Sequence, residues 1–233
     1  MRKSILSVLT IIFLNNFNAQ NSPDSLLGNW LMYFGTHRFN EKISLHYETQ
    51  LRNYELISNF NQLLPRVGIN YHIDDQTIIT AGYAFIPTQK EIDEGWNDNL
   101  ETENRIWEQF ILRNSIGNIK FRHRYRLEQR WIKSRLLNHI YPTTKSTYKN
   151  RVRYMLSVKL PISKKEDFPI FLSLYDEIFL NISSNPFDQN RLFSAIGFQI
   201  NKELNIQLGY LRHRLGNLNL NRLQLALFLN TRN

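Results

Sequence analysis

Arginine occupies alternate positions in two stretches of this chain. Arg122, Arg124, Arg126 and Arg130 share one parity, and Arg151, Arg153 and Lys159 share another. A guanidinium presents a planar fork of donors that fits a carboxylate or phosphate at two points. These runs, with Arg105 and Arg191, therefore suit two kinds of chemistry. One is a wall that binds or selects small anionic solutes. The other is mutual pairing with Glu101, Glu103, Glu128, Glu177 and Asp188. Like charges on one strand face need compensation under either reading.

Nucleophilic catalysis would need a serine or cysteine beside a base. The candidates are His123, His139 and His213 with Ser134, Ser146 or Ser194, and none lies in a Gly-x-Ser-x-Gly motif. The six histidines are scattered with no His-Glu-x-x-His pair, and none of the 9 glycines forms Gly-x-Gly. The absence of cysteine excludes disulfides, thiolate metal sites, iron–sulfur clusters and thiol nucleophiles. No metal and no cofactor is expected.

The elements that must position these side chains have a period of two. Ile119, Phe121, His123, Tyr125, Leu127, Gln129 and Trp131 alternate with Lys120, Arg122, Arg124, Arg126, Glu128 and Arg130. A strand sends the two sets to opposite faces, whereas a helix would smear them around its surface. The same alternation runs through 42–52, 148–160 and 222–230. Weaker segments lie near 28–39, 60–73, 76–86, 102–115, 168–181, 188–200 and 204–214. That makes about eleven segments separated by turn residues. No stretch carries a helical apolar stripe, so the chain reads as all-β in one domain.

Strand length and aromatic placement decide between a soluble and a membrane protein. Soluble strands are mostly 5–6 residues, whereas a bilayer crossing takes about 9–11, and 118–131 and 148–160 run past ten. Tyr47, Tyr125, Trp131, Tyr148, Tyr154 and Tyr210 sit on apolar parities, as in the aromatic girdles of membrane barrels. Loops near 87–101 and 133–147 are longer and polar. The expected fold is an antiparallel transmembrane β-barrel with a polar, Arg-rich lumen. Single-chain bacterial barrels have even strand numbers, which favours twelve, with ten as the fallback. A soluble periplasmic β-barrel binding protein is one alternative, and an outer-membrane hydrolase of lipid or another envelope substrate is another. Nucleic acid is excluded as a partner, because Tyr125 and Trp131 lie opposite the arginines rather than among them.

The chain has 233 residues and a formal charge of +9. Arg2 and Lys3, then an apolar stretch from Ile5 to Leu14, then a polar end at Asn15–Gln20, have the layout of a secretory signal peptide. The expected division is a signal peptide over 1–20 and a barrel over 21–233. Five segments then stand in order: Glu103-Asn104-Arg105-Ile106-Trp107-Glu108-Gln109, Arg124-Tyr125-Arg126-Leu127-Glu128-Gln129-Arg130, Arg151-Val152-Arg153-Tyr154, Asp176-Glu177, and Asn185-Pro186-Phe187-Asp188-Gln189-Asn190-Arg191. This set resembles a family of Gram-negative outer-membrane proteins that is known as a domain of unknown function and grouped with the membrane β-barrels. The resemblance implies a barrel, a place in the outer membrane, and dealings with its lipids and with the barrel assembly machinery. It implies no activity and no catalytic residue.

Overall fold

A computed structural model describes residues 27–89, 100–137, 142–163, 169–183 and 185–233. The expected signal peptide and His139 lie outside these residues. Twelve strands form one sheet. They are β1 (Leu27–Arg38), β2 (Ile43–Glu55), β3 (Ser58–Leu63), β4 (Arg66–His72), β5 (Thr77–Gln89) and β6 (Leu100–Ile116). The second half holds β7 (Ile119–Leu137), β8 (Pro142–Pro161), β9 (Ile170–Asn181), β10 (Phe187–Gln199), β11 (Leu204–Leu215) and β12 (Leu218–Arg232).

From β4 to β12 each strand pairs antiparallel with the next, and β1 closes the ring by pairing with β12 on one side and β2 on the other. β3 and β4 share one place in the wall. β2 pairs with β3 through Leu51–Glu55 and with β4 through Ile43–Glu48. Between them Leu64 exchanges backbone hydrogen bonds with Gln50 (2.8 and 3.2 Å), and Pro65 follows, which has no N–H to give a ladder. The segment expected at 60–73 is therefore one strand broken into two.

The wall thus has eleven positions. In an up-and-down meander an odd number leaves the first and last strands pointing the same way, and β1 and β12 do pair in parallel. The even-number rule, which had raised eleven segments to twelve, does not hold for the ring. A second correction concerns 133–147, expected as a polar loop. β7 and β8 run through most of it in register, from Ile132↔Thr147 to Leu137↔Pro142. Its polar character on both parities had hidden the strands there.

Apolar side chains face outward and polar ones inward. In β4, Arg66, Asn70 and His72 are buried, while Val67, Ile69 and Tyr71 are exposed. In β7, Arg126 and Glu128 are buried between exposed Tyr125 and Leu127. Outward rings pair across strands, as with Trp131 and Tyr148 (centroids 5.2 Å apart) and Tyr125 and Tyr154 (5.0 Å). The interior holds only small apolar clusters. One joins Trp30, Phe193, Ala195 and Leu211, and another joins Leu64, Ala84 and Ile86.

Candidate functional site

Strand parity brings the arginine runs together inside the barrel. β7 places Arg122, Arg124, Arg126, Glu128 and Arg130 on the interior face, and β6 and β8 flank it with Glu103, Arg105, Arg151 and Arg153. Register sets Trp107 opposite Glu128 on one side and Arg151 opposite Glu128 on the other.

Glu128 is the hub. It is fully buried and accepts from Arg151 at 2.6 Å, Arg153 at 2.7 Å and Arg105 at 3.3 Å, with Arg126 at 4.0 Å. Arg105 also reaches Glu103 at 2.6 Å, which holds Arg130 at 2.8 Å. Arg153 also reaches Glu177 at 2.7 Å, which holds Arg124 at 2.6 Å. Arg151 reaches Asp188 at 2.7 Å. Ten of the sequence-predicted residues thus form one network of ion pairs. Glu103, Glu128 and Glu177 each take at least two cations, which is how so basic an interior is tolerated.

Aromatic faces carry the remaining charge around the wall. Arg191, which makes no ion pair among the described residues, lies over Trp30 (4.8 Å) and Phe179 (4.5 Å). Arg52 also lies over Trp30 (3.8 Å), and Arg153 stacks on Phe179 (4.1 Å). Arg126 and Arg66 lie over Trp107 (4.6 and 5.4 Å), and Arg66 pairs with Glu48 at 3.0 Å. The result is a belt of guanidinium, aromatic and carboxylate groups running from β2 through β1, β10, β9, β8, β7 and β6 to β4. Trp107 can lie against the wall because β4 and β5 carry glycine beneath it. A Cβ on Gly68 or Gly82 would come within 2.9 or 2.5 Å of the indole.

Three predicted residues stand outside the belt: Glu101, Arg122 and Lys159, whose Nζ lies 3.4 Å from the Phe171 ring centroid. Glu101 accepts from Ser134 Oγ at 2.6 Å near one rim. Arg122 makes no side-chain hydrogen bond or ion pair among the described residues, and its Nε is buried without a partner.

Among the described residues, the predicted histidine–serine combinations do not assemble. His123 Nδ1 meets the Tyr154 hydroxyl at 2.9 Å, and His213 Nε2 meets Gln189 Oε1 at 3.0 Å. A different pair forms instead: Ser44 Oγ and His72 Nε2 are 2.8 Å apart. A one-way chain of donors leads to it. Arg126 donates to Gln109 Oε1 (2.7 Å), Gln109 to Thr80 Oγ1 (3.1 Å), Thr80 to Asn70 Oδ1 (2.7 Å), and Asn70 to Ser44 Oγ (2.9 Å). That order leaves the Ser44 proton for His72. Ser44 has 0% exposure, so the pair packs as a buried strut in the wall of the barrel.

Sequence reasoning missed Glu48, Arg66, Trp107 and the Ser44 chain. The parity of 42–52 does place Ser44, Glu48 and Arg52 on one face. Their partners lie on other strands, at a register that parity alone does not give.

Comparison with known proteins adds no activity. An uncharacterized protein of Methylorubrum extorquens is 23% identical over 171 residues, covering 70% of this chain and 68% of that protein. No solved structure matches the chain. A family model described as "Protein of unknown function (DUF2490)" matches residues 27–224, and the chain belongs to that family.

Proposed function

We propose that this chain is an outer-membrane β-barrel whose interior is closed by its own charge belt, serving the envelope as a non-conducting barrel rather than an open pore. The observation that carries the reading is sidedness. Residues such as Ile106, Leu127, Leu192, Ile196, Leu208 and Leu225 face outward, with Leu208 61% exposed, while the guanidinium groups are inside. A continuous exposed apolar surface of this kind needs a non-aqueous neighbour. Reversing the sides would place arginines in hydrocarbon at about 2–4 kcal/mol each near mid-bilayer. The signal-like N-terminus supplies the export that the outer membrane requires, and its lipids and the barrel assembly machinery are the partners of such a chain.

Packing supports closure: Arg105, Arg126, Arg151 and Arg153 are each buried although they point into the lumen, where they line one end of a cavity of about 630 Å³. In planar bilayers the refolded chain is expected to show no sustained openings at any voltage. Regular openings would overturn the closed interior. On gels, unboiled detergent-extracted protein should migrate differently from boiled protein. Identical mobility, with folding in detergent-free buffer, would overturn the membrane reading.

A further inference from the structure

Five cross-strand pairs on the interior face of β6, β7 and β8 set like charges directly opposite each other. They are Arg105↔Arg130, Arg130↔Lys149, Arg126↔Arg153, Arg113↔Arg122 and Lys120↔Lys159. Directly opposed like charges destabilise an antiparallel ladder. Three of these pairs have a carboxylate beside them. Glu103 holds both Arg105 and Arg130, and Glu128 lies beside Arg153 and Arg126. The other two pairs, which are neighbours near the Arg38 rim, make no ion pair among the described residues, and the carboxylate of Glu203 lines the second cavity beside Arg113 and Arg122. Lys159 Nζ rests instead 3.4 Å from the Phe171 ring centroid, and Arg122 Nε has no hydrogen-bond acceptor.

All four cations line a cavity of about 630 Å³, and Arg113 and Arg122 also line a second one of about 470 Å³. Strand spacing near 4.8 Å and a repeat near 6.8 Å for alternate residues put their backbone positions within roughly 10 Å by 7 Å. That patch matches an anion with two or more closely spaced charged groups. The arginines supply two-point forks, and the lysines supply point charges.

We propose that this vestibule binds an oligoanion of the phosphate class, held between the Arg113–Arg122 and Lys120–Lys159 pairs. The bound anion supplies the countercharge that Glu103 and Glu128 supply deeper in the barrel. The proposal goes beyond the closed-barrel reading and does not require the membrane.

The test uses the full chain refolded in phospholipid-free detergent, with heat-dependent gel mobility to check the barrel separately. Pyrophosphate is titrated calorimetrically at constant ionic strength. Saturable binding is expected, weakened at least about tenfold in R113Q/R122Q and in K120Q/K159Q, and unchanged in K145Q at the opposite rim. Without the anion, R122Q should be as stable as the parent or more so, because a repulsion is removed, whereas a purely structural arginine would lose stability. A second arm measures phosphatidic acid retained from mixed micelles. Retention that R113Q/R122Q abolishes, without pyrophosphate binding, assigns the site to lipid headgroup phosphate. Binding in neither arm by a folded barrel, or binding indifferent to these variants, overturns the proposal.

Discussion

Replacing Glu128 with glutamine is expected to destabilise the barrel by about 3–5 kcal/mol, the cost of removing one partner from a buried ion pair. The carboxylate has no exposure and sits among four guanidinium groups, three of them within 3.3 Å. Glutamine keeps the shape. It turns one acceptor into a donor and leaves Arg105, Arg151 and Arg153 facing one another with less anion between them. Arg105 and Arg153 keep Glu103 and Glu177, and Arg151 keeps Asp188, so the barrel should still form. Urea unfolding of the refolded protein, followed by tryptophan fluorescence, reads the loss. A change below about 1 kcal/mol, as for an exposed pair, would mean that the network does not hold the interior together.

Trp107→Ala should cost a similar amount, about 3–5 kcal/mol, for a fully buried large aromatic. Trp107 has 0% exposure and does two things. It fills the space over Gly68 and Gly82, and it gives Arg126 and Arg66 an aromatic face at 4.6 and 5.4 Å. Alanine leaves a void against the wall and takes the aromatic face from two guanidinium groups. Trp107→Phe should recover part of the loss, because a ring remains. Equal losses for alanine and phenylalanine would show that the ring face contributes nothing. The same unfolding curves measure both, read by another tryptophan such as Trp30.

Much of this was legible from residue order, and the limits are physical. Alternation through 118–131 put Arg122 to Arg130 on one face, and that face proved to be the interior. Glu103, Glu128 and Glu177 were identifiable as partners because they were the carboxylates on matching parities. The stoichiometry was not legible. That Glu128 serves four arginines depends on register, and a strand carries no local mark of which residue will stand opposite it. Pro65 did mark the break between β3 and β4, yet the apolar residues on either side read as one strand. The histidines misled for a related reason. His123 lies on the outward parity of β7, so it could not reach an interior serine. Ser44 and His72 meet across β2 and β4, 28 residues apart. Arg113, which supplies half of one like-charge pair, lies at the polar end of β6, where alternation is weak.

The central claim is that the apolar face of this wall meets hydrocarbon while the arginines face an enclosed interior. The chain has no cysteine, so single spin labels can be placed without other changes. Labels at Ile106→Cys, Leu127→Cys and Leu225→Cys, in protein reconstituted into lipid vesicles, should collide with dissolved oxygen far more than with a water-soluble nickel chelate. Collision dominated by the nickel chelate at these three positions would contradict the account.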